Sequence, residues 1–115
     1  MRENTLILFI IFALSLLVAC DKSAPGCSDE ETIELVTNIA KEELLENGFD
    51  KGKMDLFKFN LENIRTKSHD EKTGSNMCAA DLVLKVEKIR KSLPITYLSE
   101  LTEKTGEFYV TVYGL

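Results

Sequence analysis

Asn76-Met77-Cys78-Ala79-Ala80-Asp81-Leu82-Val83-Leu84-Lys85-Val86 is the stretch on which the fold turns. Its apolar residues fit two periods. Cys78, Ala80, Leu82, Leu84 and Val86 alternate, which predicts a strand with one buried face. Asp81 and Lys85 fall on the other face, which Val83 makes partly apolar. Leu82, Val86, Ile89 and Leu93 also fit one side of a helix. The alternation holds from Cys78 to Val86, and Pro94 closes the segment. The strand reading is therefore preferred, and residues 87–92 are left as a charged, ambiguous connection.

The neighbouring segments extend the pattern in both directions. Downstream, Ile95, Tyr97 and Leu101 are expected in a third strand. Glu103-Lys104-Thr105-Gly106 reads as a hairpin turn whose glycine tolerates positive φ. Phe108-Tyr109-Val110-Thr111-Val112-Tyr113 consists of strand formers, with Phe108, Val110 and Val112 expected to face inward. Upstream, Phe57, Phe59 and Leu61 alternate with Lys58, Asn60 and Glu62 as a first strand. Ile64 is out of phase with Leu61, which predicts a bulge or the end of regular pairing near Glu62-Asn63. Residues 68–75 are rich in turn formers, and residues 50–55 read as a polar loop.

Ahead of the strands lies a helix pattern. Ser28-Asp29-Glu30-Glu31 has the form of a capping box. Ile33, Val36, Ala40 and Leu44 follow as an apolar stripe with Leu35 and Ile39 beside it, and Asn47-Gly48 supplies the stop. The helix is expected over Asp29–Glu46. The order of elements predicts an α+β domain over residues 28–115: one helix packed on a four-stranded antiparallel meander. In order of elements alone this resembles cystatin-like folds, which host many functions.

The start of the chain carries a different signal. An apolar run extends from Leu6 to Ala19 behind Arg2. It is shorter than the roughly 20 residues of a membrane-crossing helix and fits a secretory leader. Its end, Leu17-Val18-Ala19-Cys20, resembles the lipobox of bacterial lipoproteins. That resemblance implies a signal helix over 1–19 that is removed, an acyl lipid on Cys20, and a lipidated tether over 20–27. The protein is then held by its lipid on the bacterial envelope, facing the periplasm or the exterior. Asp21 resembles the residue that retains enterobacterial lipoproteins in the inner membrane, which favours that membrane slightly.

Composition narrows the partners. The chain has 115 residues and a net charge of −5, with no lysine or arginine cluster. Nucleic acid is therefore a poor partner, and membrane contact is expected through the lipid rather than through charge. Cys27 and Cys78 remain once Cys20 is assigned to lipid. An even pair in an oxidising compartment predicts a Cys27–Cys78 disulfide. The inward face of the second strand would carry Cys78 toward the helix that Cys27 precedes. Free buried thiols are the alternative; a reactive thiol would need a base or cation that the sequence does not place.

A further likeness covers the C-terminal half. Asn63-Ile64-Arg65-Thr66, Thr73-Gly74, Cys78-Ala79-Ala80-Asp81-Leu82, Pro94-Ile95-Thr96-Tyr97 and Phe108-Tyr109-Val110-Thr111-Val112 resemble a domain of small bacterial lipoproteins and secreted proteins of uncharacterised function. The resemblance implies a self-contained extracytoplasmic domain and no particular chemistry.

Catalytic and metal patterns are thin. His69-Asp70-Glu71 groups a histidine with carboxylates, but a flexible turn lacks the geometry of general-base catalysis. One histidine and two distant cysteines fall short of a zinc site. Asp70, Glu71 and Asp81 lack calcium-loop spacing, and Glu42, Glu43 and Glu46 read as a solvated helix face. No enzyme activity, metal or cofactor is expected. The residues assigned to partner binding are Arg65, beside the expected bulge, and Tyr109 and Tyr113 on the outward side of the last strand. The expected function is a non-enzymatic protein-interaction module. The alternative is a small-ligand binding domain with a pocket between helix and sheet, lined by Phe57, Phe59 and Phe108.

Overall fold

A computed structural model describes residues 23–115. The expected leader over 1–19, the lipidation site Cys20 and Asp21 lie outside the described residues. Helix α1 spans Glu30–Glu46 and the short helix α2 spans Lys51–Met54. The strands are β1 (Lys58–His69), β2 (Asn76–Val86), β3 (Ile89–Leu101) and β4 (Phe108–Tyr113). They form one sheet in the order β1-β2-β3-β4, every neighbouring pair antiparallel. The fold is the expected α+β arrangement, with α1 across one face of the meander.

The strand reading of residues 76–86 holds over its full length, because β2 is paired on both sides. Leu82, for instance, stands between Leu61 of β1 and Leu93 of β3. The ambiguous connection is shorter than expected. Glu87 and Lys88 alone make the turn, since Val86 already faces Ile89, and Glu87 takes φ 51°. Strand β3 therefore runs straight through Pro94. The reason lies in the ladder. Thr102 N–H donates to Glu107 O, so β3 directs the backbone groups of its even-numbered residues toward β4. Pairing with β4 stops at Thr96 opposite Tyr113. At Pro94 the missing N–H faces a position where no strand lies, which is the edge condition a proline needs.

Strand β1 also runs further than its alternation, ending at His69. The slip at Ile64 is a bulge: the register jumps between Glu62 and Arg65 and again between Thr66 and Ser68, and Asn63 adopts φ 53°. The expected polar loop over 50–55 winds into α2, whose first turn is capped by Asp50 Oδ1 accepting from Gly52 N at 2.9 Å.

The start of α1 departs from the capping-box expectation. Asp29 is the N-cap, and its carboxylate accepts from Gly26 N at 2.8 Å instead of from a helix amide. The chain here is fixed on both sides of Ser28: Cys27 is bonded to Cys78, and Asp29 N reaches back to Gly26 O at 3.2 Å. Ser28 is thus held exposed in a tight turn. The buried stripe is rotated by one residue, with Thr32, Val36 and Ala40 at its centre and Ile33 and Leu44 only half-buried. Leu35 and Ile39 flank it against the core.

The core lies between α1 and the inner sheet face. It contains Val36, Ala40, Cys78, Ala80, Leu82, Ile95, Tyr97, Val110 and Val112. Full burial of each aliphatic side chain contributes about 1.5–3 kcal/mol. The Cys27–Cys78 disulfide sits inside this cluster, with Cα atoms 5.7 Å apart.

The segment expected as a tether up to Cys27 is docked from Ala24 onward. Ala24 N donates to Gly74 O at 2.9 Å. Asn76 Nδ2 donates to the carbonyls of Ala24 and Pro25 at 3.3 Å each, and Ser99 Oγ donates to Pro25 O at 3.0 Å. These backbone groups are buried or half-buried and find their partners on the sheet. Ala24–Cys27, the last part of the expected 20–27 tether, is therefore packed against the sheet.

Candidate functional site

One face of the sheet is covered by α1. The other carries no helix among the described residues. Its residues follow from the register. Arg65 stands opposite Ala79, Ala79 opposite Thr96, and Thr96 opposite Tyr113. These four positions form one row across all four strands, about 14 Å from end to end at the usual strand spacing. The next row is Ser68, Met77, Leu98 and Thr111, and beyond it Glu100 faces Tyr109. The three residues singled out from sequence thus share one face. Arg65 and Tyr113 flank the small side chains Ala79 and Thr96, and Tyr109 lies one step past Thr111 on β4.

Their exposure differs in kind. Tyr109 is 62% exposed and Tyr113 49% exposed, both large aromatics open to solvent. Arg65 is exposed but tied down, with Nη1 donating to Asn63 O at 2.8 Å, so the bulge aims the guanidinium back along its own strand. Asn63 Nδ2 in turn donates to Asp81 Oδ2 at 2.8 Å. The bulge is a hydrogen-bonded unit that fixes the far end of the row.

The same face changes character toward the β2–β3 hairpin. Glu62 stands opposite Asp81 and Arg90 opposite Lys85 on the strands flanking β2. Their ion pair, 3.0 Å long, spans the intervening Val83, which is 0% exposed although no helix covers it. The ion pair is itself solvent-facing and contributes at most about 1 kcal/mol. The face is therefore split into a charged half and a half in which Thr96, Tyr109 and Tyr113 are exposed, Met77, Leu98 and Thr111 are half-buried, and Ala79 is buried. Sequence reasoning missed Ala79, Thr96, Met77 and Leu98 as members of the site. Their outward phase could be read from alternation, but their row could be read only from the pairing register.

The other candidates are dispersed. His69 Nδ1 lies 2.7 Å from Asn76 Oδ1. The Asn76 amide nitrogen donates to Ala24 and Pro25, so Oδ1 accepts and His69 Nδ1 carries the hydrogen. Asp70 Oδ1 accepts from Lys72 N and Thr73 N within its own turn. Histidine and carboxylate thus serve different structural bonds. An open depression of about 580 Å³ is lined by Ser68–Lys72, away from the helix–sheet interface. Phe57, Phe59 and Phe108 are spread over the described residues. Phe59 and Phe108 sit on opposite edge strands and pack against the core, Phe59 lies under Lys41 Nζ at 5.2 Å, and Phe57 meets Phe49 edge-on at 5.7 Å. No group of three or more metal-ligating side chains occurs among the described residues. Within those residues no helix is long and apolar enough to cross a membrane.

Compared with protein families, with curated proteins and with solved structures, the chain matches none. The functional reading therefore rests on the chain's own residues.

Proposed function

We propose that this chain is a small lipid-anchored envelope lipoprotein, of the kind its C-terminal half resembles, acting as a non-enzymatic protein-interaction module. In this reading a leader helix over 1–19 is removed and Cys20 carries the acyl lipid. Asp21 favours the inner membrane. In this reading the helix-then-meander order is that of cystatin-like folds. A buried disulfide between Cys27 and Cys78 is in keeping with an oxidising compartment.

The docking of Ala24 supports a close attachment. Four Cα steps separate Cys20 from Ala24, at most about 14 Å of extended chain. An acylated Cys20 would hold the Gly74 end of the domain next to the bilayer, with little freedom to swing away.

The observation that carries the interaction reading is the open half-face bounded by Arg65, Tyr109 and Tyr113. Exposed aromatics and an arginine on one face are the composition of binding surfaces, and the exposed Thr96 lies beside Tyr113 in the row that ends at Arg65. Capture of envelope proteins by the native chain, set against Arg65→Ala, Tyr109→Ala and Tyr113→Ala variants, tests it. The reading expects one captured species to fall at least tenfold with Tyr109→Ala or Tyr113→Ala. Equal capture by all variants discards this face.

A further inference from the structure

The two edges of the sheet are built differently. Edge strand β1 carries Lys58, Glu62, Arg65 and Lys67, and its register breaks twice. Charges and bulges of this kind prevent an edge from pairing with another chain. Edge strand β4 is Phe-Tyr-Val-Thr-Val-Tyr, with no charge, no proline and no register shift along its pairing with β3. Among the described residues no strand pairs with its outer side, and the groups that face outward follow from the Thr102–Glu107 hydrogen bond. Alternation from that bond makes Tyr109, Thr111 and Tyr113 the residues bonded to β3, so Val110 and Val112 direct N–H and C=O into the open edge.

We propose that this edge pairs with β4 of a second copy of the chain, antiparallel and with Thr111 on the two-fold axis. The inference rests on the interaction reading of this strand and names its partner; it does not depend on the lipid anchor. The register is self-complementary. Val110 and Val112 of one copy exchange backbone bonds with Val112 and Val110 of the other. Thr111 faces Thr111, and Tyr109 faces Tyr113. These threonine and tyrosine pairs are the non-hydrogen-bonded ones, in which side chains approach closest. A shift by one residue would set inward valines against outward tyrosines, so the pleat excludes it.

The chemistry also sets the stopping point. A two-fold β4–β4 contact is closed, and among the described residues it leaves the two charged, bulged β1 edges as the exposed sheet edges. The assembly ends at a dimer. The axis stands perpendicular to the sheet, so both α1 helices lie on one side and both open faces on the other. Ala24–Cys27 runs along the helix side, where Asn76, Ser99 and Tyr97 hold it. Two anchored copies would then present a continuous outer face, with both Arg65 rows, away from the bilayer.

The test uses the full-length chain, carrying two different tags and co-expressed in cells, with co-purification as the readout. Thr111 is half-exposed on the outer face, so its replacement leaves the core intact. T111K alone and T111E alone bring like charges together at the axis and are expected to lower co-purification at least tenfold. Co-expression of T111K with T111E is expected to restore it. Oxidative cross-linking reads the register separately: T111C alone forms a covalent dimer, and Y109C does so with Y113C but not with itself. Monomeric wild-type chain, T111K copies that associate as wild type does, or Y109C cross-linking to itself in preference to Y113C overturns the proposal. A Cys20→Ser chain that still pairs through T111C separates this result from the fate of the anchor. Loss of envelope capture with pairing intact separates it from the fate of the open face.

Discussion

The hydroxyl of Tyr97 donates to the carbonyl oxygen of Cys27 at 2.8 Å, joining the middle of β3 to the residue that leads into α1. Tyr97 is fully buried and stands directly opposite Cys78, the partner of Cys27 in the disulfide. One hydrogen bond and one covalent bond thus clamp the same point of the chain onto the sheet. Tyr97→Phe keeps the ring and deletes the donor, leaving a buried carbonyl without it. The expected loss is about 1–3 kcal/mol, read as a lower urea midpoint with unchanged slope. A midpoint equal to wild type would show that the bond contributes nothing to stability.

Burial pushes the Tyr97 hydroxyl up from its ordinary value of 10.0 to about 12. The neutral form is the one the fold holds. Below pH 10 the folded and unfolded chains both keep this proton, and the contribution to stability is intact. Between about pH 10 and 12 the unfolded chain loses the proton first, so stability falls as pH rises, by about 2–3 kcal/mol for this group. Unfolding curves of wild type and Tyr97→Phe should therefore converge over this window. Parallel pH profiles would contradict the assignment.

The disulfide joins residues 51 apart in sequence. Chain-entropy arithmetic for such a loop gives about 4 kcal/mol, a large share of the stability of a domain this small. Reduction, or the double change Cys27→Ala and Cys78→Ala, is expected to lower the melting temperature by well over about 10 °C. A melting temperature insensitive to reductant would contradict the role of the bond as a staple.

Thr32 offers the opposite sign. Its Oγ1 is buried against the sheet and has no hydrogen-bond partner among the described residues. Thr32→Val keeps the shape and removes the stranded hydroxyl. The variant is expected to be more stable by about 1 kcal/mol, measured by thermal or urea unfolding. A destabilised Thr32→Val chain would indicate that the hydroxyl is satisfied in solution.

Much of the architecture was legible where one face is apolar. The bounds of β2 and β4, the body of α1, the bulge near Asn63 and the Cys27–Cys78 pairing all follow from periodicity or cysteine count. The misreadings share a cause. Residues 62–69 and 89–94 lie where the sheet outruns its helix or its neighbouring strand, so no buried face imposes alternation, and polar residues look like turns. Pro94 looked like a terminator because a proline's cost depends on whether its N–H would have met a strand, and that is a property of the register. The docking of Ala24–Cys27 was invisible for a similar reason: its partners Gly74, Asn76, Tyr97 and Ser99 are distant in sequence and bind its backbone, which carries no residue signature. The candidate site was half legible. Alternation placed Tyr109 and Tyr113 outward, while the row joining Tyr113 to Arg65 through Thr96 and Ala79 required three pairings at once.

Mass spectrometry of the amino terminus of the chain recovered from cells tests the central claim most directly. The first residue is expected to be Cys20, carrying acyl chains. A chain that still begins at Met1 and bears no lipid would contradict it.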